Sequence, residues 1–257
     1  YLGNHQVGIE SLIFSIVASA LGRAPTLTLA KAEHRTSWLG RLIAHCFTYP
    51  GVEDPGVIAY FDRADPTSLP RIAKELARTT DAKSLMVHVE GTRAHSARQP
   101  VEKMSGIFCD LAIEANVPVV PVRFSGGLPV EPVADKLEYP VGMGRQDYWI
   151  GRPIAPIELA ALPYKERVER VVTAIEGLGP RRDAERPHAG DAVFEARVRD
   201  RVASTGTSEG LAAIAEVLRE RARASAAARE LVAGLEGSAQ GAWLRGLAVL
   251  LGERTEA

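Results

Sequence analysis

The sequence predicts an α/β fold, a mostly parallel sheet flanked by helices, with a helical appendage at the carboxyl end. Three observations predict it. Across residues 1–179, short β-prone runs alternate with stretches of helical apolar spacing, the pattern of βαβ units. Polar segments rich in arginine and glycine follow directly on those runs, where α/β sheets collect their ligands. Over residues 180–257 the composition turns to Ala, Arg and Glu at helical period, and we expect a separate helical extension there.

Taken in order, Asn4 to Ser11 is a polar stretch opening onto an apolar helix of roughly Glu10 to Leu21. Pro25 to Ala30 reads as the first core strand, and Trp38 to Phe47 carries apolar residues at helical spacing, with His45 packed or at the surface and without a role. Val57 to Phe61 is a strand ending in Asp62-Arg63, and Ser68 to Arg78 a helix with serine at its start and proline in its first turn. Ser84 to Val89 is the next strand and runs straight into Glu90-Gly-Thr-Arg93; His88, inside it, reads as core. A helix over Ser105 to Asn116 and a strand over Val117 to Arg123 follow, and Pro118 and Pro121 mark that strand as an end or edge. Asp147 to Ile154 supplies a late strand, Tyr164 to Glu176 a closing helix, and Gly177 to Pro187 a linker. Helices are expected near Ala192–Ala203, Leu211–Leu231 and Ala242–Leu251.

With 257 residues, 46% of them hydrophobic, the chain can bury a large core. A formal net charge of -1 lacks the basic footprint that nucleic acid requires, while leaving room for a local anion site. Cys46 and Cys109 have neither CxxC spacing nor a disulfide framework, so we expect reduced, buried thiols and a cytoplasmic setting. No apolar run reaches the ~18 residues of a spanning helix. The chain starts at Tyr1 without Met, four residues before a candidate base, from which we expect a segment of a longer polypeptide.

That candidate base is His5, with Glu10 five positions on. In a regular helix the two side chains would stand about 140° apart and could not pair. They can pair if His5 precedes the first turn and the chain folds back over the helix start. The carboxylate would then fix the imidazole tautomer and leave the other nitrogen to take a proton. Taken alone, the pair also fits a polar cap on a buried helix. Arg63 ends one strand, and Glu90, Gly91, Thr92 and Arg93 follow another. Arginine offers planar paired donors to phosphate and Gly91 permits close backbone approach, so the two segments together describe an anion pocket. Singly, each arginine fits a surface ion pair.

Four motifs in order resemble those of the glycerolipid acyltransferase family, the lysophosphatidic acid and glycerol-3-phosphate acyltransferases. His5 to Glu10 resembles the family's His-x4-Asp. Gly56 to Arg63 resembles its strand ending in arginine, Val89 to Ala94 its Phe-Pro-Glu-Gly-Thr-Arg-Ser, and Val117 to Val122 its fourth motif. The resemblance covers residues 1–179.

It implies a fatty acyl transfer from an acyl thioester, acyl-CoA or acyl carrier protein, to the hydroxyl of a lysophosphatidic acid or glycerol-phosphate acceptor. His5 would be the general base and Glu10 its partner. Arg63, Glu90, Gly91, Thr92 and Arg93 would bind the acceptor, with the arginines on phosphate, and Pro121 would shape the donor side. No cofactor, metal or acyl-enzyme is implied, and the expected location is peripheral, at the inner membrane face. Glu10 in place of Asp, Val89 in place of Pro and Ala94 in place of Ser depart from the pattern. The Asp to Glu change keeps open a lipid-binding or scaffold domain with little turnover. The absence of a Gly-x-Ser-x-Gly elbow argues against a serine hydrolase using Ser11 or Ser105. The chain's boundaries and its Arg-rich tail suggest a domain of a polyunsaturated fatty acid synthase.

Overall fold

A computed structural model describes residues 1–52, 57–65, 67–78, 83–235 and 237–252. Gly56, which opens the second motif, lies outside them. The chain forms two compact units, one of Tyr1–Ala32 with Gly56–Gly190, the other of Glu33–Pro55 with Asp191–Ala257.

The first unit is the expected α/β fold. Its elements are β1 (Leu2–Gly3), α1 (Glu10–Gly22), β2 (Thr26–Lys31), β3 (Ile58–Phe61), α3 (Ser68–Arg78), β4 (Ser84–His88), α4 (Ile107–Glu114), β5 (Pro121–Ser125), β6 (Asp147–Ile150), α5 (Pro156–Ala160) and α6 (Tyr164–Glu176). The label α2 belongs to Trp38–Cys46 of the second unit. The strand order is β3-β2-β4-β1-β5-β6, parallel throughout except for antiparallel β6. Pro25–Ala30 is therefore not the first strand. β1 precedes it at the centre of the sheet, two residues long and too short to display any alternation. Its register sets Gly3 against both His88 of β4 and Val122 of β5. His5 is thereby delivered to the carboxyl edge of the sheet, beside the end of β4.

Alternation along the strands sends side chains to two cores. Val87 packs with Leu2, Cys109, Val171 and Ile175 on one face. Met86 packs on the other with Phe14 and Ala18 of α1 and with Val122 and Phe124. Each fully buried side chain of this size contributes about 1.5–3 kcal/mol. His88, two positions from Met86, shares its face, with its ring 5.6 Å from that of Phe124. Small polar residues let α1 sit close on β2: Ser15 Oγ is 2.8 Å from Thr28 Oγ1, which donates to Ser11 O at 3.1 Å. The Gly177–Pro187 run is bonded into this unit. Buried Arg123 donates to Glu176 O, Leu178 O and Pro180 O at 3.1, 2.6 and 2.8 Å and pairs with Glu185 at 2.5 Å.

The second unit is helical: α2, α7 (Ala192–Thr205), α8 (Glu209–Ala224), α9 (Ala226–Gly234) and α10 (Ala239–Leu250). Trp38 of α2 packs with Leu211, Ala215, Leu247 and Leu251, and Gly210 leaves room for its ring. His45 stacks on Trp243 and exchanges hydrogen bonds with it, Nε2 against the Trp243 carbonyl at 3.0 Å and the indole N–H donating to His45 O at 2.9 Å. The expected single helix over Leu211–Leu231 is two. Ser225 is extended at φ -127° and ψ 115°, and its hydroxyl accepts from Ala228 N to cap α9. Cys46, expected to be buried, is exposed, whereas Cys109 is buried.

Candidate active site

Everything at the site begins with how the loop between β1 and α1 is held. Asn4 extends β1 with its side chain: its Nδ2 donates to Phe124 O at 3.0 Å and its Oδ1 accepts from Phe124 N at 2.8 Å. On the next residue, His5 O accepts from Ala94 N at 2.7 Å while His5 N donates to Glu90 Oε2 at 3.3 Å. Farther along, Gly8 N and Ile9 N donate to Leu137 O and Glu138 O. The loop is thus clamped from both sides before the helix starts.

Glu10, the first residue of α1, turns back into this loop, which resolves the spacing problem. Its Oε1 lies 2.8 Å from His5 Nδ1 and accepts from Gln6 N at 2.7 Å, and its Oε2 accepts from Val7 N at 3.2 Å and Gln146 Nε2 at 2.6 Å. The carboxylate has no exposed surface. Burial pushes its carboxyl up to about 7, against the pull of the neighbouring His88 ring and the hydrogen bonds from Gln146, Val7 and Gln6. All these contacts are donors, so the arrangement suits the ionised form, with the proton on His5 Nδ1.

His88 is the residue the sequence did not assign to the site. Its ring is stacked on His5, centroids 3.6 Å apart and planes 11° apart. Its Nδ1 is 2.7 Å from Asn4 O and 3.8 Å from Glu10 Oε1, and its Nε2 is buried and meets no donor among the described residues. Burial, then repulsion from His5, brings its pKa down to about 3, outweighing the attraction of Glu10. His88 is therefore neutral, its Nδ1–H donating to Asn4. Tyr148 of β6 also faces Glu10, whose charge, second to burial, raises the phenol.

His5, Glu10 and His88 bring ligand-type atoms within 4.8 Å of one another. A metal ion prefers to lie in the plane of each imidazole that binds it. Two nearly parallel rings 3.6 Å apart cannot both offer an in-plane lone pair to one ion.

The third motif wraps this pair. Glu90 faces inward to the His5 N–H, and burial pushes its carboxyl up to about 7 against that hydrogen bond. Gly91 has φ +64°, and its carbonyl accepts from the exposed Arg63 at 3.1 Å. A side chain at Gly91 would be both strained and 3.0 Å from that guanidinium. Thr92 Oγ1 accepts from Lys136 Nζ. Arg93 Nη1 donates to Glu138 Oε1 and Leu137 O, each at 2.7 Å. Arg63 thus attaches to the 90–93 loop, and Arg93, within that loop, is occupied by Glu138. Pro121 is not brought to this edge: it begins β5, in register with Leu2, and its carbonyl accepts from Gly151 N at 2.8 Å.

A family model described as Acyltransferase matches residues 1–125. No curated protein and no solved structure matches the chain. The matched segment holds His5, Glu10, Arg63, His88 and Glu90 to Arg93. Residues beyond it, Glu138, Gln146 and Tyr148, supply contacts to the same site.

Proposed function

We propose that this chain, whose residues 1–125 match the Acyltransferase family model, moves a fatty acyl group from acyl-CoA or an acyl carrier protein to the hydroxyl of a lysophosphatidic acid or glycerol-phosphate acceptor. The observation that carries this reading is the His5–Glu10 pair at 2.8 Å, its carboxylate buried and its imidazole partly exposed. Glu10 holds the proton on Nδ1, and Nε2 takes the acceptor's hydroxyl proton as its oxygen attacks the thioester carbonyl. The carbon–sulfur bond then breaks, and the thiolate leaves with the proton that His5 returns. Glu10 stabilises the intervening imidazolium. No covalent enzyme intermediate is invoked: Cys109 lies in the core with its thiol pushed up to about 11 by burial, and Cys46 belongs to the helical unit. Arg63 and Arg93 receive the phosphate.

The longer Glu10 side chain reaches His5, which supports turnover over a binding-only domain. Thiol release from a long-chain acyl-CoA, with and without lysophosphatidic acid, tests this in wild type, His5→Ala and Glu10→Asp. Acceptor-dependent release lost in His5→Ala and retained in Glu10→Asp is expected. Slow, acceptor-independent release equal in all three would select the scaffold reading.

No helix among the described residues is long and apolar enough to cross a membrane. α1, which starts at Glu10, exposes Ile13, Ile16, Val17 and Leu21, and we place this stripe against the lipid surface that carries the acceptor. Co-sedimentation with phosphatidylglycerol vesicles should weaken in Ile16→Glu/Leu21→Glu; equal binding by that variant would remove this stripe from the reading.

A further inference from the structure

We propose that Gln146 is a positioning residue for the catalytic carboxylate, acting through Glu10 to set the pH at which His5 becomes an effective base. The inference rests on the acyl-transfer reading. Gln146 lies beyond the matched residues 1–125, at the end of a Gly/Pro-rich stretch directly before β6. Its Nε2 donates to Glu10 Oε2 at 2.6 Å and is 3.3 Å from Gln6 Oε1. Only one orientation of the amide works, since a flipped amide would set its oxygen against a carboxylate at that distance.

The partners of Gln6 hold the arrangement rigid. Gln6 Oε1 accepts from Gly127 N at 3.1 Å, and Gln6 Nε2 donates to Glu185 Oε1 at 2.7 Å. Glu185 in turn pairs with buried Arg123. A continuous, largely buried chain of hydrogen bonds thus runs from Glu10 through Gln146 and Gln6 to Glu185 and Arg123. Close packing reinforces it: a side chain at Gly127 would meet Gln146 Nε2 at 2.8 Å.

Gln146 Oε1 is itself buried and receives no donor from the described residues. A buried acceptor left without a partner is unfavourable, whereas an apolar isostere at the same place carries no such penalty. Stability alone does not favour an amide here. Its donor to Glu10 does, because a hydrogen bond to the charged form of a carboxylate favours ionisation. The titrating groups that face Glu10 are His5 from the β1–α1 loop, His88 from β4 and Tyr148 from β6. Among the described residues Gln146 is the one neutral amide side chain bonded to it, and its contribution keeps one sign across the working pH range.

Removing the donor makes the His5–Glu10 pair hold its proton more tightly. The acid limb of kcat/KM in Gln146→Met should therefore move to higher pH, by about one unit, with the melting temperature changed little, because the donor lost to Glu10 and the unpartnered Oε1 removed with it offset each other. The His5 ring resonance, assigned with His5→Ala, should titrate at correspondingly higher pH by NMR without any turnover. In Glu10→Asp, whose carboxylate is retracted from the amide, Gln146→Met should shift either readout less. Gln146→Asn, which withdraws the donor by one methylene, provides the same comparison if the Met variant fails to fold. Acid limb and His5 titration both superimposing on wild type would overturn the proposal, as would a lowered melting temperature with no pH shift. A wild type without His5-dependent transfer would refute the functional reading instead, and the NMR titration would then decide the role of Gln146 by itself.

Discussion

The imidazole of His88 lies flat on that of His5, 3.6 Å away, and hydrogen-bonds to the carbonyl of Asn4, the residue just before His5. His88 stands directly before Val89, where the family's third motif has phenylalanine. A ring at this position stacks on His5, and an imidazole adds a donor to the loop that carries His5. His88→Phe should keep the stack and lose that donor, retaining kcat within about tenfold. His88→Ala, which removes the ring, should lower kcat further while leaving KM for the acceptor nearly unchanged. Steady-state kinetics of both variants separate the contributions.

The same burial gives His88 a measurable effect on acid stability. Its folded pKa, about 3, lies below the ordinary value of 6.5. Below pH 6.5 the unfolded chain takes up a proton that the folded chain refuses, so the stability present above 6.5 is lost as pH falls towards 3. The slope for one such group is about 1.4 kcal/mol per pH unit. In urea unfolding at a series of pH values, His88→Phe should therefore gain on wild type as pH drops from 6.5 to 4. Parallel stability curves would mean that His88 is not held neutral.

Glu90 separates two roles cleanly. Its Oε2 accepts from the His5 N–H, so the side chain supports His5 from behind. Glu90→Gln keeps an acceptor for that N–H and should preserve kcat within a few-fold. Glu90→Ala frees the loop and should cut kcat by about ten- to a hundredfold with little change in KM. A rise in KM with kcat intact would instead place Glu90 on the acceptor, as the motif alone implies.

How far such roles could be read beforehand depends on the physical signal each residue carries. Alternating apolar runs identified β2, β3, β4 and β6, and α6 was read to its final residues because its period is clean. β1 was invisible, since two residues have no period, yet this strand places His5. His88 was read as core from its position inside a strand, and it does face a packed helix. It is also the last residue of β4, at the edge where ligands gather, and that was the available signal. Gln146 gave none, because it follows an aperiodic run and meets Glu10 only through tertiary folding. The break at Ser225 was masked by continuing apolar spacing on either side.

Arg93 is engaged by Glu138 at 2.7 Å, with both side chains partly exposed. A phosphate received by Arg93, as proposed, competes with that carboxylate. Glu138→Gln should therefore lower KM for a phosphate-bearing acceptor by about two- to fivefold, the range of a partly exposed ion pair, and the gain should shrink as salt is raised. An unchanged KM across ionic strength would show that phosphate does not use Arg93.

The deepest constraint lies farther back, in Arg123 and Glu185, both essentially fully buried and paired at 2.5 Å. Breaking such a pair from one side strands a charge in the interior, at about 3–5 kcal/mol. Arg123→Met should destabilise by about that amount in urea unfolding. A buried pair replaced on both sides by apolar residues is often close to neutral, but here the arginine also serves the carbonyls of Glu176, Leu178 and Pro180. Those acceptors stay unmet whatever stands at 185, and Glu185 is also the partner of Gln6. Arg123→Met/Glu185→Leu should therefore recover only part of the loss and should still impair acyl transfer through the Gln6–Gln146–Glu10 chain. Full recovery of both stability and rate would show that the ion pair only fills space and that the buried chain ends at Gln6.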